Sequence, residues 1–313
     1  MKSKLLGMLT GLSVGMLTGG ALSADNSSQP LPYPNIVDTS HATERVASIF
    51  RSFFTAKSEH NATELMEHFS RCCAYYIDAT SGGLWPSWDA LNTLFQAFLP
   101  TRPPTALSYP WRIIGDSHSA LVAFIDTPDF FGRELRILGS VTFDKHGKIV
   151  RWIDYWDGRS SLAMNTIAPT YPSDFRDDVE DASNLIVGKA GELQQAFGAG
   201  DVASATALFS PDSVYEDMAL HAQILGRLAI QRYLTRALPN VPYGVGASLA
   251  HVEGGDQGGG YEWHAAPSAS PMRRGHTAIE LDDAGQITRL TVTYDSSLFS
   301  DSVYDSLVAL SAE

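Results

Sequence analysis

Two pairs of short stretches in this 313-residue chain read alike at a spacing of 138 or 139 residues, and that spacing limits the fold more than any other feature. Tyr75-Tyr76-Ile77-Asp78 is matched by Val214-Tyr215-Glu216-Asp217. Gly147-Lys148-Ile149-Val150-Arg151-Trp152 is matched by Gly285-Gln286-Ile287-Thr288-Arg289-Leu290, which sets Asp157 opposite Asp295. A constant offset of domain length is what one duplication leaves behind.

The hydrophobic pattern repeats with it. Val46, Ile49, Phe50, Phe53 and Phe54 recur at helical spacing, Leu65, Met66 and Phe69 mark a second short helix, and 72–78 alternates like a strand. A Gly82-Gly83 turn leads to a third helix over 88–99, stopped by Pro100, and then to strands at 106–114, 120–126, 133–143 and 148–156. The second copy predicts helices at 179–197, 202–209 and 228–238 and strands at 213–218, 246–252, 260–265, 273–281 and 286–294. Helices segregated to one side of an antiparallel sheet make an α+β unit. We expect two tandem cone-shaped units, each a curved antiparallel sheet wrapped around helices, packed through their open sheet faces as an intrachain pseudo-dimer. The expected boundaries are 1–23 signal peptide, 24–40 extended arm, 41–160 first domain, 161–178 linker and 179–313 second domain. The run from Gly254 to Gly260 lacks the lysine and helix of a phosphate loop and reads as a flexible turn.

The signal peptide is read from Lys2 and Lys4, the apolar run 5–17, and Ala21-Leu22-Ser23, which predict cleavage near Ser23 and an exported (periplasmic or secreted) chain. An uncleaved leader acting as an anchor is the alternative. Losing Lys2 and Lys4 lowers the formal charge from -13 to -15, which argues against nucleic acid as a partner, and no later run is apolar enough to span a membrane. Cys72 and Cys73 are the only cysteines, and neighbours on a strand point apart, so two buried free thiols are expected. The nine histidines show no ligand spacing, so no metal site and no cofactor are expected.

The candidate site grows from Asp144 to Asp157. Period-two alternation puts Val150, Trp152, Asp154 and Trp156 on one strand face, so a carboxylate is walled by two indoles. Desolvation there would raise its pKa toward the range useful for moving protons; a solvated strand end is the plain alternative. By the same rule Tyr76 and Asp78 share a face with Cys72, and Asp126 shares one with Phe124. If these faces line one cup, Asp154, Asp126, Tyr76 and Asp78 carry the chemistry and Trp152, Trp156, Phe124 and Cys72 touch the substrate. Crowded carboxylates cannot all ionise, which separates an acid from a base. The second copy has Val292 in place of Asp154, and its pocket candidates are Tyr215, Asp217, Glu262 and His264.

These residues resemble the nuclear transport factor two-like superfamily in its SnoaL-like branch, which includes ketosteroid isomerase and limonene-1,2-epoxide hydrolase. The likeness spans nearly the whole mature chain as two copies and is most specific at Ile137-Leu138-Gly139 and at 147–157. It implies that Asp154 is the water-activating base, that Tyr76 and Asp78 orient the water, and that Asp126 is the acid. Asp78 stands where the epoxide hydrolases have asparagine and Phe124 where they have arginine, which leaves cyclisation and isomerisation beside epoxide hydration. The expected function is acid-base catalysis without a cofactor on a small apolar molecule. A noncatalytic ligand-binding or protein-interaction module is the alternative, as is a structural pseudo-dimer whose cups are filled by its own side chains, with a homo-oligomer as a further option.

Overall fold

The repeat is visible first in its turns. Asp144 Oδ1 accepts from the backbone N–H groups of His146 and Lys148, and Asp282 Oδ1 accepts in the same way from Ala284 and Gln286. Gly147 and Gly285 supply the left-handed residue each turn needs, at φ of 75° and 72°. Each turn delivers the chain into the last long strand of its half.

A computed structural model describes residues 30–159, 171–177 and 182–312. The first half contains β1 (Asp38–Ala42), α1 (Glu44–Ser58), α2 (Ala62–Met66), β2 (Tyr76–Asp78), β3 (Gly83–Trp85), α3 (Trp88–Phe98), β4 (Ser108–Gly115), β5 (Ser119–Asp126), α4 (Pro128–Phe131), β6 (Leu135–Phe143) and β7 (Ile149–Trp156). The second contains α5 (Asn184–Ala199), α6 (Val202–Ala207), β8 (Phe209–Asp217), β9 (Ala222–Leu225), α7 (Arg227–Ala237), β10 (Ser248–Gly255), β11 (Gly258–His264), β12 (Arg274–Leu281), β13 (Ile287–Thr293) and the terminal α8 (Asp301–Ala309). One sheet runs β1-β4-β5-β6-β7-β2-β3 and the other β10-β11-β12-β13-β8-β9, the same order once β1 is set aside. Side-chain caps fix equivalent helix starts: Asn61 caps α2 as Asp201 caps α6. Among the described residues no helix is long and apolar enough to cross a membrane.

Each sheet has an inner face covered by its own helices. In the first half Phe50, Phe53 and Phe54 of α1 pack with Phe69, Phe124 and Trp152. In the second, Ile186, Leu193 and Phe197 of α5 join Tyr215, Tyr233, Trp263 and Leu290.

The outer faces meet each other, and the described residues from Pro32 onward form one compact body. Leu121, Ala123 and Leu138 cluster with Ala278. Beside them, Arg151 lies 2.5 Å from Glu262, which also accepts from Arg274 at 2.8 Å, Tyr155 at 2.5 Å and Ser140 at 3.1 Å. Burial alone would raise the Glu262 carboxyl, but Arg151 and Arg274 override it and hold it well below the usual range. The strand ends show the symmetry of the join. Gly158 N–H donates to Asp295 Oδ1 at 2.9 Å while Ser296 N–H donates to Asp157 Oδ1 at 2.8 Å, a reciprocal pair of the kind a two-fold relation produces.

Four expectations need correction or extension. Residues 71–73 form a turn, so the strand shrinks to β2, and Cys72 and Cys73 are exposed and joined to each other by a disulfide. A turn, unlike a strand, allows neighbouring side chains to meet, so neither buried thiols nor a Cys72 on the inner face results. The glycine run is a hairpin: its turn is confined to Asp256-Gln257, β10 and β11 pair from Gly255–Gly258 onward, and the Cβ-free residues let backbones approach closely, since a Cβ on Gly260 would lie 2.2 Å from Thr277 O and 2.9 Å from Leu121. β1, which begins in the expected arm and runs two residues past it, pairs parallel with β4. The expected signal peptide and most of the linker lie outside the described residues, but 171–177 pack on the first sheet, where Phe175 O accepts from Arg151 Nε at 2.9 Å.

Arg151→Met should therefore destabilise the fold by about 3–5 kcal/mol, because it leaves Glu262 short of a guanidinium and Phe175 O short of a donor. Urea unfolding at pH 7 measures this, and a loss below ~1 kcal/mol would show that the ion pair does not hold the halves together.

Candidate active site

Parallel pairing of β2 with β7 assembles the site. Tyr76 lies opposite Trp152 and Asp78 opposite Asp154, so all four side chains enter the inner face of the first sheet. Across β7, Gly139 of β6 faces Asp154. A Cβ there would stand 3.1 Å from Trp152 Nε1 and 3.3 Å from Asp154 Oδ1, so glycine makes the room that this pair occupies.

Asp154 is 4% exposed and both its oxygens are held. Trp152 Nε1 donates to Oδ1 at 2.5 Å and the Tyr76 hydroxyl donates to Oδ2. Burial pushes the carboxyl up to about 7, against the pull of those two donors, and the charge of Asp78 adds to the rise while Lys57 opposes it. Burial also raises Asp78, whose Oδ1 accepts from Trp156 Nε1 at 3.0 Å and from the N–H groups of Thr80 and Ser81. Tyr76 is pushed well above the ordinary phenol value, first by burial and then by Asp154, so it stays a proton donor.

Asp126 stands apart from this pair, at the far end of β5. It is 2% exposed and forms an ion pair with Lys57 Nζ, at 2.9 and 3.2 Å to its two oxygens. The same ammonium lies 4.7 Å from the Phe124 ring centre and 5.7 Å from that of Phe130. Lys57 was missed in the sequence although its position signals it. It continues the series Val46, Phe50, Phe53, Phe54 along the buried face of α1, where a lysine demands a partner.

Trp152 and Phe124 lie on the inner face as expected, each 1% exposed, and Trp156 is buried beside Asp78. Trp152 and Phe124 pack with the helix phenylalanines as core residues. The half-buried edge of the site is Tyr76 and Asp78, flanked by Trp85 and Phe95.

The second half places Tyr215 and Asp217 together and keeps His264 away. The Tyr215 hydroxyl donates to that of Tyr243 at 2.5 Å, which donates to Asp217 Oδ2 at 3.0 Å, with Tyr294 a further donor at 3.4 Å. Burial pushes Asp217 up to about 7, opposed by the N–H groups of Leu220 and Ala219 and by Tyr243. Val292 is fully buried where Asp154 stands in the first half. His264 is exposed at the end of β11, where it lines a surface pocket with Tyr171, Asp177 and Arg274, and Glu262 lies on the outer face between the sheets, so neither joins Tyr215 and Asp217; the alternation along β11 sends Trp263 inward instead. Tyr243, in the loop before β10, carried no periodic signal.

No protein-family model matches the chain, and no curated protein matches it. Solved structures do resemble it in part. A steroid delta-isomerase from Pseudomonas aeruginosa is 16% identical, covering 42% of this chain and 93% of its own, with a TM-score of 0.33. A SnoaL-like protein from Burkholderia thailandensis is 10% identical over 36% of this chain and 96% of its own, at 0.31. An NTF2-like protein from Burkholderia xenovorans is 20% identical over 37% and 86%, at 0.30. At these identities and scores the likenesses carry no inference about chemistry.

The raised carboxyl makes stability depend on pH in a defined direction. Between the unfolded value of about 3.9 and the folded value, the folded state binds more protons than the unfolded one, so stability falls as pH rises through that window. Asp154→Asn should flatten the fall between pH 4 and 7, leaving the part due to Asp217 and to other raised carboxyls, among them Asp78, Asp157 and Asp295. Thermal unfolding across that range checks it, and an unchanged profile in the variant would show that Asp154 titrates normally.

Proposed function

We propose that the chain is an acid-base enzyme acting on a small, largely apolar molecule, with Asp154 as the proton-transferring base. The observation that carries this reading is a carboxylate pushed to about 7 inside an aromatic shell, held by one phenol and one indole donor. Such a group takes and returns protons near neutrality, where an ordinary aspartate is too weak a base. Tyr76, protonated and half-buried, gives its one O–H to Asp154 Oδ2; once Asp154 has taken a proton and donates in turn, that O–H is released to an oxygen of substrate or water. Asp78 fixes Trp156 and adds negative charge that favours protonated Asp154. Asp126 with Lys57 forms a second charged station on the same face; the acid role assigned to Asp126 would pass through Lys57, its partner. Epoxide hydration, carbon-carbon ring closure and isomerisation through an enolate all need a base and an oxygen-directed donor in this relation.

Export is part of the proposal and rests on the basic and apolar residues from Lys2 to Leu17. A ligand-binding role without chemistry is the second reading. It is favoured by a cleft of about 460 Å³ outside the first cup, lined by Trp111, Ile125 and Arg136 from the first half and Met218 and His221 from the second.

Screening epoxides and enolisable ketones tests the choice. Asp154→Asn should lower kcat/KM by about 10²–10⁴-fold while circular dichroism stays native, and Tyr76→Phe should lower it less. Full turnover by Asp154→Asn rejects the assignment. Ligand affinity that survives joint neutralisation of Asp126 and Asp154, with no turnover of any substrate by the native chain, selects the binding reading.

A further inference from the structure

Between the sheets, away from the candidate active site, two buried acceptors face each other with no donor between them. His251 Nδ1 lies 3.3 Å from the carbonyl oxygen of Asp177. A carbonyl only accepts, so Nδ1 carries the proton and Nε2 presents a lone pair. That lone pair meets Glu253 Oε2 at 3.8 Å, and neither atom has a hydrogen-bond partner among the described residues. Both residues are closed to solvent, His251 at 2% and Glu253 at 0% exposure. The separation is too long for a hydrogen bond, yet near the ~3.4 Å between neighbouring donors of a tetrahedral ion with bonds of about 2.0–2.2 Å.

A third donor is in reach: one ligand atom each from His251, Glu253 and Glu262 lie within 4.8 Å of one another, and because both Glu262 oxygens already accept from Arg151, Ser140, Tyr155 and Arg274, an ion binds there by displacing one of those donors. The register explains the gathering. His251 pairs across to Glu262 and Glu262 to His276, one row over three adjacent strands, while Glu253 follows His251 by two residues on the same face. The spacing is invisible along the chain because the row runs perpendicular to it. His276 Nε2 engages Glu253 Oε1, which turns Oε2 toward His251, and Tyr155 of the first sheet stacks on the His276 ring at 5.5 Å. Charge points the same way. Glu262 and Asp177 pair with Arg151 and Arg274, while Glu253 lies against the imidazoles of His251 and His276, so neutral imidazoles leave one negative charge in excess. In the first half the same row reads Arg112, Ala123 and Leu138, so this donor set arose in one copy only.

We propose that His251 Nε2, Glu253 Oε2 and a Glu262 oxygen bind a divalent transition-metal ion between the two sheets, with His276 as a positioning residue for Glu253. One imidazole with two carboxylates suits Zn²⁺. The ion fastens the outer face of the second sheet where it meets the first.

The test uses the full mature chain, unfolded and refolded with and without ZnCl₂ because the site is buried, then desalted and measured for bound zinc. One equivalent per chain is expected, with thermal unfolding shifted upward by zinc. Glu253→Gln and His251→Gln should each lose that zinc, or weaken its affinity at least 100-fold against a chromophoric chelator, and lose the shift. Zinc retained equally by both variants, or none taken up by the native chain, overturns the proposal. If both variants fail to fold, X-ray absorption of the zinc-loaded native chain decides. One imidazole nitrogen with carboxylate oxygens at about 2.0–2.1 Å supports the site, and a shell of several imidazoles or water alone overturns it.

Discussion

Everything in this molecule turns on the period-two alternation of β7, which sends successive side chains into two different environments. Trp152, Asp154 and Trp156 point inward beneath the helices, and Arg151, Ile153 and Tyr155 point outward to the other half or to residues 171–177. A shift of one residue would put Arg151 into the aromatic cup and Asp154 into the join, leaving each charge without its partner. The same strand thus fixes both the candidate site and the packing of the two halves. Neither can change register without the other.

The halves share topology and differ in what they bury. The first keeps a carboxylate on its last strand and answers it with a tyrosine from the parallel neighbour. The second has valine there and buries a chain of tyrosines ending on Asp217 instead, with every member of that chain closed to solvent. Its outer face took the opposite course and acquired His251, Glu253, Glu262 and His276 where its twin has largely apolar residues. Acid-base character and buried charge have therefore moved to different layers in the two copies. Reciprocal bonds from Asp157 and Asp295 preserve the join between them.

What could be read from the chain was whatever depends on local period. The long strands, the three helices of each half, the duplication and the shared face of Trp152, Asp154 and Trp156 all follow from spacing alone. Four kinds of feature did not. Cys72 was misplaced because alternation was extended into a turn, where it no longer governs direction. Lys57 escaped because a cation on an apolar helix face becomes meaningful only when Asp126 is seen beneath it. Glu262 and His264 were read as pocket residues although the inward neighbour, Trp263, already marked them as facing elsewhere. Cross-strand rows such as His251-Glu262-His276 depend on register, which local period does not carry.

The central claim is that Asp154 is a desolvated base, and carbon-detected NMR titration of its carboxyl, assigned by Asp154→Asn, tests it most directly. A midpoint near 7, moving downward when Asp78 is replaced by asparagine, is the predicted result. A midpoint near the ordinary value of about 3.9, indifferent to Asp78, would mean a solvated carboxylate and would contradict the account.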